Sequence, residues 1–230
     1  MKSVAIITAR GGSKRIPRKN IKSFCGKPII EYSINAAINS NMFDEVMVST
    51  DDLEIKEIAE RCGARVPFLR SKLTSNDISS TSDVLFEVLD EYKKIGLQFE
   101  FMCCIYPTAP FITSSKLMEG MTLLYSKKAD CVLPIVPFSF PPQRGFVIEN
   151  QIIKYKWPEN MLVRSQDLER MYHDSGQFYC MRVSSFYEQK TIVMNNTLPI
   201  ILSEIEVQDI DNEDDWIIAE IKYRNSNKNK

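Results

Sequence analysis

The sequence predicts an α/β fold, a mostly parallel β-sheet with helices on both faces and a small inserted arm. Three observations carry this. Short β-rich runs alternate with longer helical patterns over the first 136 residues. Several short runs, such as "EFMCCIYP" and "DCVLPIV", are continuously apolar, as strands buried on both faces must be. Near residue 137 the texture changes, and proline and aromatic residues replace the alternation.

Taken in order, "SVAIIT" (3–8) is the first strand, and Pro28 opens the helical pattern "IIEYSINAAINS". "EVMVST" (45–50) is the next strand; Asp51 and Asp52 cap the helix "LEIKEIAERC", which Gly63 ends. "RVPFLR" is predicted as a short strand. The helix in "SSTSDVLFEVLDEYKKIG" has hydroxyl caps, an apolar face and a closing Gly96. "EFMCCIYP" is a central strand, "SSKLMEGMTLLYSKK" a helix and "DCVLPIV" another buried strand. Residues 138–172 are expected to leave the sheet as an excursion with a hairpin around Glu149 and Asn150. The main fold resumes at "GQFYCMRV" and "LPIILSEI" and finishes on the helix "DDWIIAEIKYR". The polar end "NSNKNK" reads as frayed, and residues 1–230 as one domain.

Composition excludes several function classes. A net charge of −1, from 29 basic and 30 acidic residues, argues against nucleic-acid or membrane-surface binding. No run of 18 apolar residues is present to span a bilayer, and "MKSVAIITA" reads as a buried strand rather than a leader. Six cysteines without a CxxC pair, and a single histidine, His173, indicate reduced buried thiols in a cytoplasmic protein rather than a zinc site.

Against that neutral background, "ITARGGSKRIPRKN" (7–20) concentrates Arg10, Lys14, Arg15, Arg18 and Lys19 around Gly11, Gly12 and Ser13, directly after the first strand. Glycines let backbone N–H groups approach an anion, a hydroxyl adds a donor, and cations neutralise charge. Neither a Walker A loop nor GxGxxG is present. Alone, the stretch reads equally as a polyphosphate loop or a solvated basic turn. In "VQDIDNEDDW", Asp209 and Asp211 alternate, so both carboxylates face one side of an extended segment, a donor pair suited to Mg²⁺. Glu213, Asp214 and Asp215 are explained by a helix N-terminus. "YPTAPF" places Thr108 at the carboxyl edge of the sheet, where a rigid connection is the alternative reading. "YHDSGQFY" offers His173, Asp174 and Ser175, which read as a polar ligand-contact loop because three consecutive residues do not assemble a hydrolase relay.

In order and spacing, "ARGGSKRIPRKN", "LRSKLTSNDISS", "YPTAP" and "DIDNEDDW" resemble the acylneuraminate cytidylyltransferase family, the CMP-sugar synthetases, over roughly residues 3–222. The resemblance implies a Rossmann-like nucleotidyltransferase that couples CTP to a nine-carbon acidic sugar and releases pyrophosphate. "YHDSGQFYCMR" and "YPTAPF" look most like the branch acting on pseudaminic acid, whose product serves surface-glycan or flagellin glycosylation. N-acetylneuraminate, legionaminate or KDO are the alternative sugars, and a nucleotide-binding module without catalysis is the alternative class. The resemblance further implies that Arg10, Gly12, Ser13, Lys14 and Lys19 hold the CTP phosphates, with Arg10, Lys19 and Asp211 catalytic. Asn20 and Arg70 match cytosine-side contacts, and Ser79, Ser80 and Thr81 a nucleotide-binding helix start. Asp209 and Asp211 match the Mg²⁺ ligands; Tyr106, Thr108, Gln177 and Tyr179 match the sugar side. The excursion is similar to a homodimerisation segment, with Arg144 and Arg164 reaching the partner's sugar carboxylate.

Overall fold

A computed structural model describes residues 2–227. The chain forms β1 (Ser3–Thr8), the short hairpin strands β2 (Ser23–Phe24) and β3 (Lys27–Pro28), α1 (Ile29–Ser40), β4 (Glu45–Ser49) and α2 (Leu53–Arg61). There follow α3 (Thr81–Lys94), β5 (Phe101–Ile105), α4 (Ser114–Ser126) and β6 (Cys131–Pro137). The excursion carries β7 (Phe146–Glu149) and β8 (Ile152–Tyr155); the chain then returns through β9 (Tyr172–Asp174), β10 (Phe178–Arg182), α5 (Val183–Gln189), β11 (Thr197–Ile201) and α6 (Glu213–Asn227).

The main sheet has the order β11-β6-β10-β5-β1-β4, with β9 also pairing β6. β1 is parallel to β4 and β5, and β11 is parallel to β6. β10 is antiparallel to both β5 and β6, so those two point the same way. Helical crossovers through α1, and through α2 and α3, join the parallel strands β1, β4 and β5. β9 and β10 are reversed because the chain comes back from the excursion without a crossover helix, a reversal that strand composition alone does not show.

Alternation along β1 builds two cores. Ala5 and Ile7 face α1 and α4 with Ile30, Ile34, Leu117 and Met121. Val4 and Ile6 face α3 and α5 with Val84, Leu85, Val88 and Phe186. A third cluster joins Ile16, Phe24, Ile29, Ile210, Trp216 and Ala219, tying the segment after β1 to the segment before α6.

Caps fall where the side chains demand them. Asp52 accepts from Ile55 N, and Ser80 and Asp83 form a reciprocal capping box. Asn150 and Gln151 both have positive φ, 51° and 66°, as a two-residue turn between β7 and β8 requires. Three expectations need correction. "RVPFLR" is not a strand; only Arg65 bridges Met47, and Pro67 has no N–H with which to continue the ladder. α5 was not anticipated, since seven residues ending at left-handed Lys190 are too short for a period to show. The end is not frayed from residue 225, because α6 continues to Asn227; residues 228–230 lie outside the described part.

Candidate active site

The segment after β1 is shaped by packing as much as by charge. Ile16 is fully buried in the cluster with Ile210 and Trp216, so the cations on either side of it are turned outward. Arg18 adopts left-handed backbone, with φ 55°. Its guanidinium donates to both Asp52 oxygens at 2.5 and 2.9 Å and also meets Glu54. A Cβ on Gly11 would lie 2.6 Å from Asp52 Oδ2, so this pair leaves room only for glycine there. Gly11 N donates to Asp51 Oδ1 at 2.9 Å. Gly11's N–H is therefore committed to Asp51 rather than offered to an anion, and Gly12 is not among the residues lining the cleft.

Arg18→Ala is expected to destabilise the fold by about 1 kcal/mol at neutral pH, the exposed guanidinium keeping the pair's worth small. The Arg18 hydrogen bond holds the Asp52 carboxyl at about 2, against an ordinary 3.8. A depressed carboxyl pKa stabilises the fold above the unfolded value, and that contribution fades as pH falls through the folded one. Denaturant titrations should show the gap between the two proteins full above about pH 5 and narrowing toward about pH 3. A gap that widens with acid contradicts the assignment.

A cleft of about 510 Å³ opens at the carboxyl ends of β1, β4 and β5. One wall carries Arg10, Ser13, Lys14, Lys19 and Asn20; the other carries Arg70, Ser79, Ser80 and Thr81, with Tyr106 and Thr108 from the end of β5. Asn20 is buried and donates Nδ2 to Arg10 O at 2.8 Å. Arg70 is buried with Nε on Ser49 Oγ at 3.0 Å and Nη2 on Ser49 O at 2.6 Å, and desolvation lowers its pKa. Ser80's hydroxyl is occupied by its capping role, whereas Thr81 Oγ1 lies 3.2 Å from Tyr106 Oη.

The aspartate pair stands behind Lys19, outside the lining of this cleft. Ile210 is buried, so Asp209 and Asp211 on either side of it project away from the core. The Asp215 carboxylate accepts from Asp211 N and Asn212 N at 2.9 and 3.0 Å, pinning that backbone against α6. Lys19 Nζ donates to Ile210 O at 2.7 Å and stands 3.9 Å from Asp211 Oδ1. Arg15 Nη2 donates to the same oxygen at 2.7 Å. Burial lowers the Lys19 pKa, and Asp211 and Asp209 oppose that shift. Burial raises the Asp209 carboxyl, and the Asp211 charge adds to it. Two carboxylates, one raising the other's pKa, are a pair that a cation relieves.

A second cleft of about 440 Å³ lies beyond, lined by Asp174, Ser175, Tyr179, Gln208, Asp209 and Lys222 among others. Tyr179 Oη donates to Asp174 Oδ2 at 2.7 Å, and its ring meets Tyr106 edge-on at 5.6 Å. The tyrosine pair thus links the linings of the two clefts, and Asp209 reaches the second.

A family model described as cytidylyltransferase matches residues 4–222. The chain belongs to the cytidylyltransferase family. It is 38% identical to the pseudaminic acid cytidylyltransferase of Campylobacter jejuni subsp. jejuni serotype O:2, over 97% of each chain. It is 29% identical to the CMP-N,N'-diacetyllegionaminic acid synthase of Legionella pneumophila subsp. pneumophila, over 96% of this chain and 95% of that one. Its fold is similar to a solved structure of CMP:2-keto-3-deoxy-manno-octonic acid synthetase complexed with CTP, with a TM-score of 0.71 at 18% identity, covering 99% of this chain and 100% of that one. As a cytidylyltransferase the protein is a nucleotidyltransferase enzyme.

Most residues singled out from the sequence line one of this cytidylyltransferase's two clefts; Asp211, Gly12, Gln177, Arg144 and Arg164 do not. Gln177 is buried but donates Nε2 to Glu206 O at 2.7 Å, so its amide holds the segment leading to Asp209 instead of facing a cleft. Arg144 donates to Ser165 Oγ and Arg164 to Asp167 within the excursion, and neither lines either cleft. Arg15 and Arg18, left without a role by the motifs, hold Asp211 and Asp52. Thr8, Asn76 and Asp77 line the first cleft without having been anticipated. The asparagine–aspartate turn signal was visible at residues 76–77, but its ion-pair partners lie more than 60 residues away.

Proposed function

We propose that this cytidylyltransferase transfers CMP from CTP to the anomeric hydroxyl of pseudaminic acid, releasing pyrophosphate. One observation carries the reading: Lys19 lines the polyphosphate cleft and reaches Ile210 O and Asp211, while Asp209, on the same segment, lines the second polar cleft. The choice of sugar follows the Campylobacter jejuni relative, whose similarity runs through the whole length.

Arg10, Ser13, Lys14 and Lys19 hold the triphosphate, while Asn20 and Arg70 face the cytosine side and Thr81 the ribose side. The sugar occupies the second cleft against Tyr179 and Asp209, with Tyr106 and Thr108 at the boundary. The sugar oxygen forms its bond to the α-phosphorus as the bond to the pyrophosphate oxygen breaks, and the hydroxyl proton is lost to solvent. Charge grows on the non-bridging and leaving oxygens, so fixed cations placed before the reaction are what lower the barrier. Lys19, already pinned by Ile210 O, needs no reorganisation to do this.

Asp209 and Asp211 fit Mg²⁺. They are hard oxygen donors on one segment beside the polyphosphate cleft, and Mg²⁺ takes one or two carboxylates with substrate phosphates and water. Mg²⁺ held by Asp209 and Asp211 would supply Lewis-acid chemistry and would lower the pKa of the attacking hydroxyl.

The excursion is a homodimer contact in this reading. It exposes Phe140 at 86%, Ile148 at 75% and Leu162 at 87%, apolar surface that a second copy can cover. The second copy brings Arg144 or Arg164 to the sugar carboxylate. Six free cysteines suit the reducing cytoplasm. Incubation with CTP, Mg²⁺ and pseudaminic acid should yield the CMP-sugar by mass spectrometry from protein that sediments as a dimer. Absence of product, or a fully active monomer, contradicts the respective part.

A further inference from the structure

Asp77 sits where the first cleft's own cations converge. Its Oδ1 accepts from Arg10 Nη1 at 2.6 Å, and its Oδ2 lies 2.5 Å from Lys14 Nζ. Arg10 Nη1 donates as well to Asn76 O at 3.2 Å. A carboxylate from the loop of residues 71–80 therefore already neutralises two cations of the opposite wall.

The construction of that loop shows why its tip can exchange while its root stays. Glu87 on α3 accepts from Ser71 N at 2.6 Å, from Ser71 Oγ at 2.9 Å and from Thr74 Oγ1, which fixes the root. Asn76 Oδ1 accepts from Ile78 N and Ser79 N at 2.8 and 2.9 Å, so the turn presenting Asp77 is preformed. Ile78, the neighbour of Asp77, is 95% exposed, so no apolar packing fastens the tip. What spans the cleft is the pair of ionic contacts to Arg10 and Lys14, with the longer Arg10 bond to Asn76 O, all open to solvent and thus weak.

We propose that Asp77 is an affinity-setting gate: its carboxylate occupies a phosphate position between Arg10 and Lys14, and a polyphosphate binds by displacing it. The inference rests on the assignment of those two cations to the triphosphate. Lys14 first, and Arg10 second, hold the Asp77 carboxyl below the usual range, so it competes as a full anion at neutral pH. Its return to the cations assists departure of pyrophosphate. Anions of low charge displace it poorly, which sets a threshold against monophosphates.

Calorimetry on the full-length protein and on Asp77→Asn, with CTP and separately with sodium pyrophosphate, tests this. Both ligands should bind the variant about two- to fivefold more tightly, the size of two exposed ionic contacts. The difference should shrink as salt is raised. Equal or weaker binding by D77N overturns the gate and makes Asp77 a residue that orders the cations for the nucleotide. Tightening of CTP alone also overturns it, because exchange at two cations is blind to the nucleoside. If the unaltered protein binds neither ligand, the triphosphate assignment falls together with the gate; if it binds both and D77N does not tighten, the gate alone falls.

Discussion

Asp211→Ala is expected to reduce turnover by on the order of 10³-fold or more while CTP still binds within about fivefold of normal; loss of one fixed electrostatic group alone reaches 10²–10³. The backbone at this position is held independently of the side chain, by Asp215 and by buried Ile210. The fold therefore survives, and the defect belongs to the reaction. Two further consequences follow from the contacts. Arg15 and Lys19 both address Asp211 Oδ1, so the substitution releases one cation and loosens another, and affinity for the triphosphate is largely kept. Asp214→Ala, in the first turn of α6 two residues beyond Asn212, is the control and should turn over almost normally. Steady-state rates beside calorimetric CTP titrations separate the cases. Unchanged turnover in D211A removes the carboxylate pair from the mechanism.

Lys19→Ala should cost about 3–4 kcal/mol of transition-state stabilisation, read as a 10²–10³-fold fall in kcat, the scale found for a single preorganised donor. The ammonium is largely buried, bonded to Ile210 O, and set between the cationic segment and the aspartates. Its removal also leaves that carbonyl without its donor, a stability cost of about 1 kcal/mol. Lys19→Arg keeps the charge and should recover much of kcat without regaining all of it, since a planar fork does not reproduce the ammonium's approach. A normal kcat in K19A would reduce Lys19 to a structural tie.

What the sequence made legible was local. β1, α1, β4 and α3 follow from period, caps and apolar runs within ten to fifteen residues, and so does the facing of Asp209 and Asp211 around Ile210. What it hid depended on distance. Gly11 looked like an anion contact because the reason for its missing Cβ, Asp52, is a residue of another element. Arg18 looked like spare surface charge for the same reason. Gln177 carried the chemistry of a ligand contact, but its partner is a backbone carbonyl near Asp209. The reversal of β10 and the failure of "RVPFLR" to pair were settled by the returning excursion and by Pro67.

The most direct measurement of the central claim is pyrophosphate release with CTP and Mg²⁺ across a panel of acidic sugars: pseudaminate, legionaminate, N-acetylneuraminate and KDO. The expected result is the highest kcat/KM with pseudaminate, lost in D211A. Strong activity with N-acetylneuraminate and none with pseudaminate would contradict the sugar assignment, and no CTP-dependent release with any of the four would contradict the transfer itself.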